Sequence, residues 1–464
     1  MKKLPIAREL LLVGGGHTHS IFLKKFAMSP IDGVKVTLIN PAGFSTYSGM
    51  VPGFIAGHYG LDDIRINLRS LCRYADADFV EGRIDGIDIQ KDRVIVPGRP
   101  DLRYDVLSLD VGSGRYTDAF GRPHGGVSVK PINDFVPSWV SILENIREGR
   151  VKKIGVVGSG PGGLELAMAI EYRLRKEKIG FPVSINLITA NMEVAETYNR
   201  MFRSKTRSLL ENKGIVVHND FYAVEYDGSV LRSSDGKELA LDEVLWVASS
   251  KAHKWPSDTG LRHDDDGFFA VTETLQASSR PNIFAVGDCA TLIREPFPKA
   301  GVYAVRQAPI LFHNIAAFFL GKKMKAFNPQ SNLLSLVSAG DRSALAARGA
   351  FYFSGRLAWK WKDWIDRRFM KQFNELPEMK RQRSNVLIEE FDSIHFCGGC
   401  GSKVSSDTLT EVLQEIMGDE APLGDAAPIE VPEGKILLQS VDHFRSFLND
   451  SYLQARIAVC HAMS

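Results

Sequence analysis

Long apolar runs and a dense cysteine pattern are both missing from this sequence. Its 464 residues include only five cysteines, and only Cys397 and Cys400 lie close together in the chain. A disulfide-stabilised secreted domain has a denser pattern, so this usage favours a reducing compartment such as the cytoplasm. No stretch of about 18 apolar residues occurs, so the sequence predicts no bilayer-spanning helix.

An excess of charge of either sign is also missing. Lys and Arg total 57 against 55 Asp and Glu, which leaves a formal net charge of +2. This balance provides no basic footprint for nucleic acid. Residues 1–5 lead directly into a predicted strand, so we expect no secretory signal peptide. The length suggests two or three domains.

A glycine-rich turn between a strand and a helix is the feature around which the chain is organised. The β-branched run 152–157 precedes Gly158, Gly160 and Gly163, which fit the pattern G-x-G-x-x-G, and a helix-forming run follows. The first glycine makes the tight turn, the second lets a pyrophosphate approach the backbone, and the third lets the helix pack on the strand. The pattern therefore predicts a dinucleotide at the start of this helix, where free N–H groups favour phosphate.

A similar turn follows the predicted strand 9–13. Gly14 and Gly16 take the first two glycine positions, but His19 stands at the third, so the helix must tilt or pack less closely there. His17 and His19 have three open interpretations: groups beside a flavin, metal ligands, or packed or solvated residues of the helix start. Two such turns predict two dinucleotides, FAD and a nicotinamide. Asn40 ends the next strand, where an acid usually binds the FAD ribose.

The segment 281–290 contains Gly287 and Asp288 after a third apolar strand. Together with the two glycine turns, it resembles the two-dinucleotide flavoprotein superfamily of pyridine-nucleotide oxidoreductases, over about residues 8–320. The resemblance implies that Asp288 binds the ribityl or phosphate region of FAD. It also implies that the helix beginning near Lys299 and Ala300 points its N-terminus at the flavin, where its dipole would stabilise charge on the reduced ring.

Two further residues have alternative roles. Lys130 either neutralises the flavin pyrimidine or is an exposed loop lysine. Glu165 matches the family's glutamate near the nicotinamide and either orients the carboxamide or handles a proton; otherwise it is a helix-start acid favoured by the dipole. The flavin dithiol of disulfide reductases is absent, which makes the chain similar to type II NADH dehydrogenases. The strand end at residues 189–191 carries neither an acid nor an arginine, so NADH and NADPH both remain open.

An amphipathic helix is predicted over residues 357–373. Leu357, Trp361, Trp364, Ile365 and Phe369 fall near one face, and lysine and arginine lie elsewhere,. Such a helix could lie on a membrane surface. The interpretation that we favour is a helix whose apolar face packs on its own domain and whose basic face is outside.

The Cys397–Cys400 pair belongs to a second module. A zinc half-site and a thioredoxin-like dithiol are two interpretations, but the sequence lacks a second C-x-x-C and a βαβ context. The third is that the segment resembles the N-terminus of selenide, water dikinase (selenophosphate synthetase). That resemblance implies a reactive Cys400, an assisting Lys403, and Asp442 as a Mg²⁺ ligand shared with ATP. The chain ends at Ser464, before the rest of that family's sequence.

The sequence thus predicts an α/β protein with two Rossmann-like dinucleotide-binding domains, for FAD and NAD(P)H, followed by an incomplete α+β segment. The predicted boundaries are residues 1–130 and 261–325 for the two parts of the FAD domain, 131–260 for the NAD(P)H domain, 326–375 for a C-terminal flavoprotein region, 376–394 for a linker and 395–464 for the truncated dikinase.

The predicted function is transfer of hydride from NAD(P)H through FAD to an unidentified small acceptor. The dikinase module would use selenide, ATP and Mg²⁺ when complete. The alternatives are a flavin redox sensor or scaffold for the dikinase, and a membrane-peripheral quinone reductase. We expect a cytoplasmic protein, with peripheral membrane contact and a homodimer as further options.

Overall fold

The computed structural model describes residues 7–114, 125–247, 251–253, 259–376, 426–431, 435–440 and 450–462. The chain divides into two units, one of residues 4–377 and one that contains residues 378–464 together with residues 1–3. The first unit carries both glycine turns, and it is described first.

The helices are α1 (His17–Met28), α2 (Val51–Ile55), α3 (Leu68–Tyr74), α4 (Ile132–Arg147), α5 (Pro161–Glu177), α6 (Arg200–Asn212), α7 (Gly301–Phe319), α8 (Arg356–Asn374) and α9 (Ser451–Ala462). The strands are β1 (Arg8–Val13), β2 (Val34–Asn40), β3 (Phe44–Thr46), β4 (Arg65–Asn67), β5 (Asp78–Glu81), β6 (Gly86–Asp88), β7 (Arg93–Ile95), β8 (Leu102–Arg103), β9 (Val106–Leu109), β10 (Val127–Ser128), β11 (Lys153–Val157), β12 (Ser184–Ile188), β13 (Val216–His218), β14 (Ala223–Tyr226), β15 (Val230–Ser233), β16 (Glu238–Ala240), β17 (Glu243–Trp246), β18 (Phe269–Val271), β19 (Gln276–Ala277), β20 (Arg280–Ala285), β21 (Ala290–Leu292), β22 (Ser335–Ser338), β23 (Ala344–Arg348), β24 (Phe351–Gly355), β25 (Ala426–Val431) and β26 (Lys435–Ser440).

The larger sheet carries the first glycine turn. Its strand order is β21-β18-β19-β20-β9-β1-β2-β5, and the run from β20 to β5 is parallel. These strands are apolar on consecutive positions because helices such as α1 and α7 cover them. Leu10, Leu12 and Leu38 are fully buried, and Phe22 of α1 and Leu311 of α7 join the same core. The parallel edge places the first turn, Asp110 and Gly287 side by side.

The smaller parallel sheet carries the second glycine turn. Its strand order is β10-β17-β11-β12-β13, and α5 packs on it through Leu164, Ala167 and Ile170, all fully buried. The predicted α/β class with two Rossmann-like units is therefore confirmed. Strands β6 to β8 form a separate antiparallel sheet, whereas β5 joins the larger parallel sheet. Two consecutive buried residues, Phe79 and Val80, fit that two-sided burial,.

Helix α8 meets our expectation only in part: Phe369 packs against His17 and Tyr47, but other residues of the predicted apolar face are exposed. Leu357 and Trp364 are 76% and 55% exposed, whereas Asp366, Met370 and Phe373 are buried. The packed face thus includes an acid, and part of the apolar stripe faces outwards. Throughout the described ranges, no helix combines the length and the hydropathy that crossing a membrane requires.

The second unit is described only in part. Strands β25 and β26 form an antiparallel pair with Ala426 opposite Ser440, and α9 follows them in the chain. Cys400, Lys403 and Asp442, on which the dikinase prediction rests, lie outside the described residues, as does the predicted linker from residue 377 onward.

Candidate functional site

The second glycine turn has the geometry of a phosphate-binding turn. Gly158 has φ +118, so it takes the tight turn,. A side chain on Gly163 would overlap the Gly158 carbonyl oxygen, so this glycine lets α5 approach β11 closely. A side chain on Gly160 would meet nothing within 4 Å among the described residues. Open space thus lies at the start of α5, where the helix dipole favours an anion.

The first glycine turn is built differently. Gly14 has φ +90, and a side chain there would overlap the Asp110 backbone. The space beside Gly16 is filled by the Asp110 carboxylate, whereas the equivalent space beside Gly160 is open. The two turns therefore have a similar sequence pattern, but the space beside the second glycine is filled in the first turn and open in the second turn.

His19, at the third glycine position, is a packed residue. Its ring is fully buried; Nδ1 lies 2.7 Å from the Gly14 carbonyl oxygen and Nε2 lies 2.8 Å from Ser108 Oγ. Burial lowers its pKa to about 4, so the ring is neutral near pH 7. Among the described residues, no group of three or more His, Cys, Asp or Glu side chains is arranged to hold a metal ion. These observations favour the packing interpretation of His19.

Asn40 supports the first turn from the end of β2. Its Oδ1 accepts a hydrogen bond from the Gly15 N–H at 2.8 Å, and its Nδ2 donates to the Ala42 carbonyl oxygen at 2.6 Å. The residue is buried. It therefore fixes the turn at the place where we expected a partner for the FAD ribose, and that binding role stays a prediction.

Asp110, the first residue after β9, was missed by the sequence analysis. Its carboxylate accepts the N–H of His19 at 3.0 Å, and the N–H of Thr18 also bonds to it. Burial, together with the charge of Asp288, raises its pKa to about 7 although both N–H groups oppose the shift. The available signal was an acid directly after an apolar strand, at the edge where parallel sheets bind ligands.

Lys130 and Asp288 lie together at the same edge. Lys130 Nζ is 2.7 Å from Asp288 Oδ2, so the lysine is paired and is not simply an exposed loop residue. Gly287 has φ +66, and its N–H donates to Gln307 Oε1 at 2.7 Å. Two residues predicted separately thus form one ion pair beside the first turn.

Lys299 and Ala300 lie at the start of α7 but differ in their surroundings. Lys299 turns inward: its Nζ donates to Thr291 Oγ1 at 2.6 Å and lies over the Phe268 ring. Ala300 is the N-cap residue of α7, and no side chain of the described residues caps it. A side chain on Gly301 would come within 3.8 Å of Ser48 Oγ. The helix end therefore faces the segment around residue 48.

Glu165 lies in a nearly buried pocket on α5. Its Oε1 accepts the N–H of Ser338 at 2.8 Å, and Lys362 Nζ lies 4.0 Å away. Burial raises the pKa of Glu165 to about 7, although Lys362 and the Ser338 N–H oppose the shift. A carboxyl group with this pKa exchanges protons near neutral pH.

Lys362 connects Glu165 to the residues under α8. Its Nζ is 2.8 Å from Asp366 Oδ2 and donates to the Gly49 carbonyl oxygen at 2.8 Å. The Tyr47 hydroxyl donates to the other Asp366 oxygen at 3.0 Å. Burial disfavours charge on Lys362, but Glu165 and Asp366 raise its pKa overall. Sequence analysis missed these residues because α8 carried no chemical motif.

His17 completes a row of side chains between the two turns. Its ring packs against Tyr47, 5.3 Å between centroids, and against Phe369. Burial lowers its pKa to about 4, partly offset by the charge of Asp288. Its Nε2 is buried and has no hydrogen-bond partner within the described part of the chain. A buried polar atom of this kind needs a partner, and a polar cofactor edge would provide one.

These residues fit two dinucleotides. The open space at Gly160 and the uncapped start of α5 suit the pyrophosphate of a nicotinamide,. The orphaned His17 Nε2, the Lys130–Asp288 pair and the uncapped start of α7 suit the polar edges of a flavin.

The chain is similar in sequence and in structure to several known proteins. The pyridine nucleotide-disulphide oxidoreductase family matches residues 8–308. NADH dehydrogenase-like protein YutJ of Bacillus subtilis is 22% identical over 73% of this chain and 91% of its own length. Ferroptosis suppressor protein 1 of Xenopus tropicalis is 26% identical over 59% of this chain and 72% of its own. The structure of sulfide:quinone oxidoreductase from Aquifex aeolicus shares the fold, with a TM-score of 0.67, 17% identity, and coverage of 84% of this chain and 96% of that one.

Proposed function

Since this chain belongs to the pyridine nucleotide-disulphide oxidoreductase family, we propose that it is an FAD-dependent NAD(P)H oxidoreductase that reduces a quinone-like or other small acceptor. In this proposal the FAD domain comprises residues 1–130 and 261–325, and the NAD(P)H domain comprises residues 131–260. The names of two similar proteins, an NADH dehydrogenase-like protein and a sulfide:quinone oxidoreductase, support this choice of substrates.

The observation that carries the proposal is the row of side chains that joins the two turns. Tyr47, Asp366, Lys362 and Glu165 follow one another from the flavin side to the nicotinamide side. Bound FAD supplies the redox chemistry between the two substrates. The protein holds a proton-exchanging carboxyl group, a cation and a phenol in the intervening space.

This row can supply the proton that the reaction needs. Reduction of a quinone to a quinol takes one hydride, which the nicotinamide provides, and one proton. Glu165 is protonated below about pH 7 and can release a proton while Lys362 stabilises the resulting carboxylate,. Acceptor reduction should therefore slow as the pH rises above 7.

Stopped-flow mixing of the FAD-loaded full chain with NADH or NADPH tests the function. We expect the flavin absorbance to bleach within milliseconds to seconds with at least one donor, and to return when a quinone is added. The comparison of the two donors also determines which nicotinamide is used. No bleaching with either donor would contradict the enzyme and favour the flavin redox sensor or scaffold.

We also propose that helix α8 contacts a membrane surface. Leu357, Trp361 and Trp364 are exposed on α8, next to Lys360 and Arg368, and exposed tryptophans with basic neighbours suit an anionic interface. Flotation of the intact chain with anionic liposomes, compared with a chain carrying Trp361→Ser and Trp364→Ser, measures it. A cytoplasmic location and a homodimer stay predictions.

We also propose that residues 395–464 are the start of a selenide, water dikinase. The support is the sequence resemblance at Cys400, Lys403 and Asp442 alone. A neighbouring cation lowers a thiol pKa, so Cys400 should be alkylated near pH 7 faster than Cys460, which is exposed. Equal rates for the two thiols would contradict the proposal.

A further inference from the structure

Asp110 is a buried carboxyl group inside the first glycine turn, and the proposed reaction gives it no role. Two glycines leave room for the carboxylate, because a side chain on Gly16 or Gly287 would overlap its oxygen atoms, and Gly14 leaves room for the Asp110 backbone. Its Oδ2 accepts the N–H of His19 at 3.0 Å. The carboxylate therefore binds amides of the first turn of α1, the helix end that a dinucleotide pyrophosphate would approach.

Two anionic groups would then share one helix start. The dipole and the N–H groups of α1 stabilise about half a unit of negative charge. Asp288 adds a second carboxylate nearby, which Lys130 pairs at 2.7 Å. A pyrophosphate brings about two further negative charges, and like charges in a buried site disfavour one another.

We propose that Asp110 binds a proton when FAD binds, so that the neutral carboxyl group, rather than the carboxylate, lies beside the FAD pyrophosphate. This inference rests on the proposed FAD site. Asp110 is thus an affinity-determining residue for the cofactor, and FAD should bind more weakly as the pH rises. The step moves one proton from solvent to an Asp110 oxygen and changes no other bond.

Most of the other titratable groups near Asp110 do not reproduce this behaviour. On α1, burial lowers the pKa values of His17 and His19 to about 4, so both are neutral through the range tested. In the 287–289 turn, burial raises the pKa of Cys289 to about 12, so it stays a thiol. Asp288 is paired with Lys130 at 2.7 Å. Burial lowers the pKa of Lys299, ahead of α7, so its charge is a second source of pH dependence. The Asp110→Asn variant separates the two groups, because it retains Lys299.

Titration of the FAD-stripped full chain with FAD at pH 6 and pH 9 tests the proposal. If FAD binding is linked to the uptake of one proton, the dissociation constant for FAD should be about tenfold to a hundredfold larger at pH 9 than at pH 6. Asp110→Asn keeps an oxygen that can accept the His19 N–H, and it should bind FAD equally at both pH values, close to the wild-type affinity at pH 6. Asp32→Asn, an exposed substitution in the same domain, should retain the wild-type pH dependence.

Calorimetry of the wild-type chain keeps the test independent of any variant. Binding enthalpies in two buffers of different ionisation enthalpy should show uptake of roughly one proton per FAD at pH 8. Affinity that is the same from pH 6 to pH 9, with no proton uptake, would overturn this inference alone. No FAD binding at any pH would overturn the proposed function and this inference together.

Discussion

Replacing Lys362 with methionine is expected to lower the free energy of unfolding by about 3–5 kcal/mol at pH 8, the usual cost of removing one partner from a buried ion pair. Lys362 is the cation between Glu165 and Asp366, at 4.0 and 2.8 Å, and all three side chains are nearly buried. Methionine fills a similar volume but leaves two carboxylates without a cation.

The loss should depend on pH. Without Lys362, the pKa values of Glu165 and Asp366 rise further, so the folded variant binds protons that the unfolded chain does not. Stability then falls as the pH rises, and the difference from the wild type should be smaller at pH 6 than at pH 8. Urea unfolding at both pH values measures it.

Lys360→Met provides the matched control. Lys360 lies on the same helix but is exposed, and surface substitutions of this kind change stability by within about 0.5 kcal/mol. If the Lys362 variant is as stable as the Lys360 variant at pH 8, water reaches the three charges and the buried cluster is not an ionic one.

The Lys362 cluster also shows what sequence reasoning could not reach. Tyr47 and Asp366 are joined by one hydrogen bond but are separated by 319 positions. Nothing local in either segment indicates the other. The glycine turns, by contrast, are local: strand, turn and helix start lie within about fifteen consecutive residues, so the sequence predicted both.

Helix α8 was misread for a related reason. Periodicity assigns the packed face to the apolar residues because most domains offer a helix an apolar surface. Here the surface beneath α8 presents Tyr47 and Glu165, so Lys362 and Asp366 face inward and Trp364 faces outward. The pattern gave the helix and its length correctly, but the chemistry of the partner surface decided its rotation.

The two turns differ for a reason that only packing reveals. The sequence marked His19 as a departure from G-x-G-x-x-G and predicted that the helix tilts or packs less closely there. In the structure the ring binds the Gly14 carbonyl oxygen at 2.7 Å, and Asp110 fills the place beside Gly16. The contact with Gly14 is local, but the other ring nitrogen lies 2.8 Å from Ser108 Oγ of β9, 89 positions along the chain, and Asp110 directly follows the same strand.

Gly163→Ala is expected to slow flavin bleaching by NAD(P)H at least about a hundredfold, equivalent to about 2.7 kcal/mol of activation free energy. The added methyl group would overlap the Gly158 carbonyl oxygen, so α5 must move away from β11. Overpacking of this kind costs about 1–3 kcal/mol of stability, and it moves the amides at the start of α5 away from the nicotinamide pyrophosphate. FAD content should not change, because the proposed FAD site lies on the other sheet.

Gly162→Ala is the control because it adds the same methyl group one residue earlier. Its nearest neighbour would be Val247 Cγ1 at 3.5 Å, an ordinary contact, so folding stability should stay near that of the wild type. The rate of flavin bleaching in stopped-flow mixing and the thermal stability are measured for both variants. If the flavin of the Gly163→Ala variant is reduced at the wild-type rate, the start of α5 does not bind the nicotinamide phosphates, and the second turn is a packing feature. His19 shows that a turn of this type tolerates a large third residue when its ring has partners. The penalty at Gly163 therefore follows from the contact with Gly158 and not from the sequence pattern.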